Sequence, residues 1–244
     1  MLKNIKRELN VLQFKTESDF YFNLYKFISL IEATQEDAIV IAPEVCLTGF
    51  AYERFEEAAE FTAIAMKKIF EVLNNRVIIL TMIEKIDGHF FNTAKVFNSG
   101  NIIYEQKKAR LFVIGDERRY FTQGDESEIS IFEVDGIKVG ILICFELRFK
   151  NLWQKLEGSD LICIPAMWGK PRATQFAVLS NALAVVNQCF VAASDSANDD
   201  MARKSSIVNP FGEVIINDDL ESISADFSSD SIKKMRRYIN VGLL

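Results

Sequence analysis

The sequence predicts a layered α/β fold, with strands buried on both faces and helices packed outside them. Three observations carry this. Apolar, β-branched runs such as Ala38–Ala42, Ile137–Ile143 and Leu161–Ile164 show little polar alternation, as strands covered on both faces do. Asp87-Gly88, Ser99-Gly100 and Asp135-Gly136 punctuate other strand-like runs as hairpin turns. Two helical segments fall in each half of the chain, which places helices on the outside of packed sheets.

Taken in order, a strand is expected near Leu9–Phe14 and a helix through Asp19–Ala33. A strand ends at Ala42-Pro43. A long helix follows within Glu53–Leu73, where Phe61, Ile64, Ala65, Ile69 and Val72 recur at helical spacing. Strands near Val77–Glu84, Phe91–Phe97 and Ile102–Gln106 are joined by the first two turns, and a strand pair flanks the third. Beyond Cys144 come a short helix to about Leu156, a strand at Leu161–Pro165 and a helix within Ala173–Asn187. Strands at Phe190–Ala193, Ser206–Val208, Val214–Ile216 and Ile223–Asp226 precede a terminal helix.

A chain of 244 residues, 49% hydrophobic, with four Pro, 11 Gly and no linker, visible repeat or low-complexity tract, reads as one domain over 1–244 with a large core. The net charge of −6 disfavours nucleic acid or an anionic membrane surface as partner. The one basic cluster, Lys233, Lys234, Arg236 and Arg237, is expected to face solvent. Cys46, Cys144, Cys163 and Cys189 lack the density of a disulfide scaffold and read as reduced thiols. No apolar run reaches the roughly 18 residues of a membrane span, and the first eight residues carry no signal-peptide pattern, so a cytoplasmic protein is expected. The single His, His89, falls in a hairpin turn, which argues against a Cys/His protease pair. With no CxxC, GxGxxG or Walker loop, neither a metal nor an organic cofactor is called for.

Chemistry concentrates at strand ends. Cys144 closes the run Ile137–Ile143 and opens a helix-like turn. There the first free N–H groups set up a local positive potential that favours thiolate and can hold an oxyanion, so a catalytic nucleophile is expected. Glu44 follows the apolar run ending at Pro43, and Lys108 follows Ile102–Gln106. A carboxylate to move protons, an ammonium to hold negative charge and a thiol to attack make a hydrolytic set.

The order Glu, Lys, Cys, each after a strand, resembles the nitrilase superfamily of carbon–nitrogen hydrolases. The matching motifs are Pro43-Glu44-x-x-x-x-Gly49-Phe50, Lys108-x-Arg110-Leu111-Phe112 and Cys144-Phe145-Glu146-x-Arg148-Phe149. Lesser matches are Phe91-Asn92-Thr93-Ala94, Gln123-Gly124-Asp125, Pro165-Ala166-x-Trp168 and Ser206-Ile207-Val208-Asn209-Pro210-x-Gly212. The likeness runs from about Leu9 to Asp226. It implies a four-layer α-β-β-α sandwich, a second glutamate at Glu117, and a homodimer or larger homo-oligomer. It also implies an amidase mechanism: Glu44 as base, Cys144 as thioester-forming nucleophile, and Lys108 with the Phe145 N–H as oxyanion hole.

The ω-amidase-like branch, acting on a small linear amide of a dicarboxylate, is the nearest likeness. Trp168 would then line the pocket, and Arg172 or Lys170 would bind the distal carboxylate. An N-carbamoyl amine or N-carbamoyl-β-amino acid hydrolase, or a non-catalytic binding member, are the alternatives. Departures at Lys150-Asn151, Met167, Leu183 and Val186 touch support positions. Arg148 is expected to be a structural ion-pair partner.

Overall fold

The computed structural model describes residues 4–243. Strands β1 (Lys6–Leu12), β2 (Ile39–Ile41), β3 (Val77–Ile86), β4 (His89–Asn98), β5 (Asn101–Lys107) and β12 (Ser222–Ser228) form one six-stranded sheet in the order β12-β1-β2-β3-β4-β5. Strands β6 (Phe132–Val134), β7 (Ile137–Ile141), β8 (Leu161–Ala166), β9 (Phe190–Asp195), β10 (Ser206–Val208) and β11 (Val214–Ile215) form the second, in the order β11-β10-β9-β8-β7-β6. Helices α1 (Phe20–Glu32) and α2 (Phe55–Val72) serve the first sheet, and α4 (Lys150–Lys155) and α5 (Ala173–Asn187) the second. The helix α3 (Glu117–Tyr120) lies between the two halves in sequence, and α6 (Ser229–Tyr238) closes the described chain. This is the α-β-β-α sandwich expected.

Period-two alternation makes the layers. In β2, Ile39 and Ile41 join the core between the sheets, while Val40 joins the core under α1 and α2. The same split divides Val77 and Ile79 from Ile78 and Leu80 in β3, because successive strand side chains point to opposite faces. Helix α1 completes the outer layer with Phe20, Leu24, Phe27 and Ile31 on one stripe. Its Asp19 carboxylate accepts the N–H groups of Tyr21 and Phe22 at 2.9 and 3.1 Å.

The two halves repeat one topology that the amino-acid pattern conceals. Three parallel strands (β1-β2-β3, β7-β8-β9) are linked by outer helices, flanked on one side by one antiparallel strand and on the other by two. No residue repeat accompanies it, since only the buried/exposed alternation has to be preserved.

Several boundaries differ from expectation. Strand β1 begins at Lys6, three residues before the apolar run, because Lys6–Leu12 pairs antiparallel with β12 from Lys6↔Ser228 to Leu12↔Ser222. Strand β11 stops at Ile215 and is exposed. Ile64 faces outward from α2. Arg236 does not face solvent: its guanidinium pairs with Asp160 at 3.5 Å and donates to the Ser159 carbonyl at 2.6 Å, tying α6 to the start of β8. All four cysteines are buried and unpaired. Among the described residues no helix is long and apolar enough to cross a membrane.

Candidate active site

Parallel strands deliver their C-terminal ends to one end of the sandwich, where α/β sheets leave a crevice. Strand β2 runs into Glu44, β7 into Cys144, β8 into Trp168 and β9 into Asp195. The sheets meet there directly: the Glu44 N–H donates to the Ala166 carbonyl of β8 at 3.1 Å.

Backbone strain marks the spot. Cys144 has φ +52°, Val45, next to Glu44, has φ +42°, and Asp116, next to Glu117, has φ +58°. Such angles cost non-glycine residues free energy, most of all a β-branched one, and persist only where surrounding contacts dictate them. At Val45 the dictating contact is its N–H to Thr81 Oγ1 at 2.7 Å. At Cys144 it is Glu146, whose carboxylate accepts the N–H of Ile143 at 2.7 Å and that of Ala109 at 2.6 Å. Glu146 thereby ties the turn bearing Cys144 to the loop bearing Lys108.

Lys108 is at the centre, fully buried. Its Nζ lies 2.6 Å from Glu44 Oε1 and 2.8 Å from Glu117 Oε1. Asn92 Nδ2 donates to the same Glu44 oxygen at 2.8 Å, and the Phe112 N–H to Glu117 Oε2 at 3.0 Å. Glu44 Oε2 is buried with no hydrogen-bond partner, as is Asn92 Oδ1. The ammonium uses two of its three protons on carboxylates and keeps one. Burial alone would pull Lys108 down, but Glu44, Cys144 and Glu117 together raise it, so it stays charged.

At Cys144 the pull of the turn toward thiolate is outweighed. Burial first, then the Glu44 carboxylate, with Glu117 adding to it, push the thiol well above its ordinary range, and Lys108 opposes without prevailing. The short turn Cys144–Arg148 offers little dipole against two nearby carboxylates. The Phe145 N–H, next in that turn, donates to no protein acceptor among the described residues.

These groups open on a cavity of about 260 Å³. Its walls include Cys144, Glu117 and Phe145, the aromatics Phe50, Tyr52, Phe112 and Trp168, and the two arginines Arg148 and Arg172. Tyr52 Oη donates to the Gly115 carbonyl at 2.5 Å, steadying the loop that leads to Glu117. Trp168 lines the wall, with the Arg148 guanidinium 4.6 Å from its ring centre. The Arg172 guanidinium stands 4.9 Å from the Phe112 ring centre.

Two expectations need correction here. Lys170 is exposed and off the cavity wall, because its backbone N–H is drawn to the Asp200 carbonyl at 2.7 Å. Arg148 is no ion-pair partner: it hydrogen-bonds Gln175 and pairs with no carboxylate among the described residues. Asn92, Arg148, Met201 and Asp195 were given no catalytic or binding part by the sequence. Only the match around Asn92 and the motif position of Arg148 hinted at them.

Two carboxyls beside the cavity set a pH response. Burial raises Glu146 from 4.5 to about 7 and Asp195 from 3.8 to about 7, against the backbone N–H groups that favour their ionised forms. Burial shifts Glu117 the same way. Groups whose folded values lie above the unfolded ones bind more protons when folded, so their contribution is greatest at low pH and is lost as pH rises to about 7. Urea unfolding is expected to show lower stability at pH 8 than at pH 5, by up to roughly 3 kcal/mol for each fully titrating carboxyl. Equal or greater stability at pH 8 contradicts this burial.

The model of the carbon-nitrogen hydrolase family matches residues 10–237. The 2-oxoglutaramate amidase of Bacillus subtilis (strain 168) is 30% identical over 205 residues, 79% of this chain and 78% of its own. Omega-amidase NIT2 of Xenopus tropicalis is 29% identical over an alignment of 260 residues, covering 97% and 94% of the two chains. Among solved structures, Saccharomyces cerevisiae Nit3, a member of branch 10 of the nitrilase superfamily, superposes with a TM-score of 0.86 at 20% identity, covering 97% of this chain and 95% of its own. XC1258 from Xanthomonas campestris, a CN-hydrolase superfamily protein, gives 0.84 at 21% identity over 96% and 95%.

Proposed function

The chain belongs to the carbon-nitrogen hydrolase family, and from that premise we propose that it hydrolyses the distal amide of a small dicarboxylate monoamide, such as 2-oxoglutaramate, to the acid and ammonia. The observation that carries the substrate class is the pair Arg148 and Arg172. Both line the cavity beside Cys144, and neither has a carboxylate partner among the described residues. A guanidinium fork left open in a small pocket suits a carboxylate at the far end of the substrate.

The chemistry follows from the hydrogen bonds. Asn92 and Lys108 occupy Glu44 Oε1, so Oε2 is the oxygen that takes the Sγ proton as the sulfur attacks the amide carbon. The third proton of Lys108 and the Phe145 N–H receive the oxyanion, each such donor being worth roughly 3–4 kcal/mol in a dry site. The carbon–nitrogen bond then breaks, Glu44 passes its proton to the leaving nitrogen, and ammonia departs from a thioester on Cys144. Water attacks the thioester as it gives a proton to Glu44, the carbon–sulfur bond breaks, and Glu44 returns that proton to the departing thiolate of Cys144. Glu117 holds the ammonium in place throughout, and no cofactor takes part.

Ammonia release across 2-oxoglutaramate, N-carbamoyl-β-alanine, simple aliphatic amides and nitriles tests the substrate. Preference for 2-oxoglutaramate is expected, whereas carbon dioxide released with ammonia from the carbamoyl compound redirects the reading to a carbamoyl hydrolase. Arg172→Met and Arg148→Met are each expected to raise KM for 2-oxoglutaramate about tenfold, the loss of one charge-assisted contact, with little effect on propionamide. Unchanged KM in both removes the carboxylate argument.

The same reading includes a cytoplasmic homodimer. Its support is the apolar outer face of α5, where Val178, Val185 and Val186 stand exposed beside Phe211, Val214 and Ile215 of the β10–β11 hairpin. Mass in solution by sedimentation decides it.

A further inference from the structure

The loops that bring Trp168, Gly169 and Met201 to the cavity wall converge on one buried group. Asp195, at the end of β9, is fully buried. Its Oδ1 accepts the Trp168 N–H at 2.8 Å, and its Oδ2 accepts the Arg203 N–H at 2.8 Å. The N–H groups of Ser196 and Lys204 also favour its ionised form. The two accepted N–H groups come from different loops, one leaving β8 and one joining β9 to β10. Those loops are stitched further by the Ala202 N–H to the Trp168 carbonyl at 2.6 Å, the Lys170 N–H to the Asp200 carbonyl at 2.7 Å, and a bridge between Gly169 and Met201. Trp168, Gly169 and Met201 all line the cavity.

We infer that Asp195 is a positioning residue for substrate specificity: its carboxylate clamps the Trp168 loop to the Met201 loop and so sets the width and shape of the pocket wall. A buried carboxylate is expensive unless several donors meet it. A neutral turn-former would close a single loop at less cost. What a carboxylate does that an amide cannot is accept on both oxygens at once, from two separate loops. The backbone argues the same way. Arg203 is held at φ +53°, an angle it keeps while donating to Asp195. Ser205 braces the clamp from behind, its Oγ accepting the Asp195 N–H at 2.9 Å and donating to the Asp195 carbonyl at 3.1 Å. Glu44, Lys108 and Cys144 have no hydrogen bond to this group, so the clamp acts on how substrate sits and not on the reagents.

This inference rests on the amidase reading, and its test separates the two. Assayed at pH 8, where Asp195 is mostly ionised, Asp195→Asn keeps the shape but turns one acceptor into a donor facing an N–H. With 2-oxoglutaramate, KM is expected to rise about tenfold, the loss of one hydrogen bond to a charged group, and to rise by more than kcat falls. The rate at which iodoacetamide alkylates Cys144 is expected to stay within about twofold of wild type, since this reagent is smaller than the substrate, carries no carboxylate to be seated by the wall, and depends mainly on the triad. A proportional fall in kcat and alkylation, or an unchanged KM, overturns the clamp. If Asp195→Asn does not fold, Ser205→Ala decides, with a smaller rise in KM expected and no rise overturning the proposal. Should the wild type prefer another amide, the substrate reading fails, and the same comparison run with that amide still judges Asp195.

Discussion

Cys144→Ser is expected to lower kcat/KM by more than about a thousandfold while leaving the unfolding transition in place. The substitution changes one atom, keeps the volume and keeps the strained turn, so the fold has little reason to respond. Chemistry has every reason to. The thiol is already held protonated by burial and by Glu44 and Glu117, and a serine hydroxyl, intrinsically far less acidic, asks Glu44 for a proton transfer it cannot complete. Acid-quenched mixtures of wild type and substrate should show, on the peptide containing Cys144, the mass of the acyl group. The serine variant turning over at wild-type rate would remove the thioester, and with it the assignment of the nucleophile.

Lys108→Met is expected to damage both activity and stability. On the proposed mechanism it removes an oxyanion donor, worth about a hundredfold or more in rate. It also leaves Glu44 and Glu117 facing each other, buried and unpaired, which costs about 3–5 kcal/mol. The sign with pH is diagnostic: two carboxyls sharing a dry site retain one proton between them when folded, so the variant is penalised less at pH 5 than at pH 8. Adding Glu117→Gln should return part of the lost stability but none of the activity, since it removes a charge without supplying a donor for the oxyanion. Chemical denaturation of the single and double variants at both pH values measures this. Full stability of Lys108→Met at pH 8 would mean the three side chains do not share a buried site.

Why the reagents were legible and their surroundings were not is a matter of distance along the chain. Cys144, Glu44 and Lys108 are each ordinary when read singly, Lys108 above all, and it is their order, each just after a strand, that makes them legible. The protonation state of Cys144 could not be read that way. The local turn argues for thiolate, and the groups that reverse it lie 100 residues upstream at Glu44 and 27 at Glu117 in sequence. Arg148 looked like a structural cation because most arginines find a carboxylate, and only the folded chain shows that this one has none. Asp195 sits in a polar run, Ser194 to Asp200, that reads as a loop. Its burial comes from β9 carrying it under two other loops. The strand start at Lys6 was hidden for a related reason: its charges suggest solvent, yet the ladder with β12 holds that backbone extended. The sheets themselves were easier, because Val, Ile and Leu runs bounded by Asp-Gly and Ser-Gly turns leave few other options.

The twofold repetition of topology has a consequence for how the molecule can fail. In the proposed mechanism the base and the ammonium, Glu44 and Lys108, are carried by the first half, whereas the sulfur of Cys144 is carried by the second. Neither half owns a working set of reagents, so hydrolysis reports the alignment of one sheet against the other. A lesion in the interior seam that lets the sheets slip by a fraction of an ångström should silence the enzyme while circular dichroism still records an unaltered complement of helix and strand.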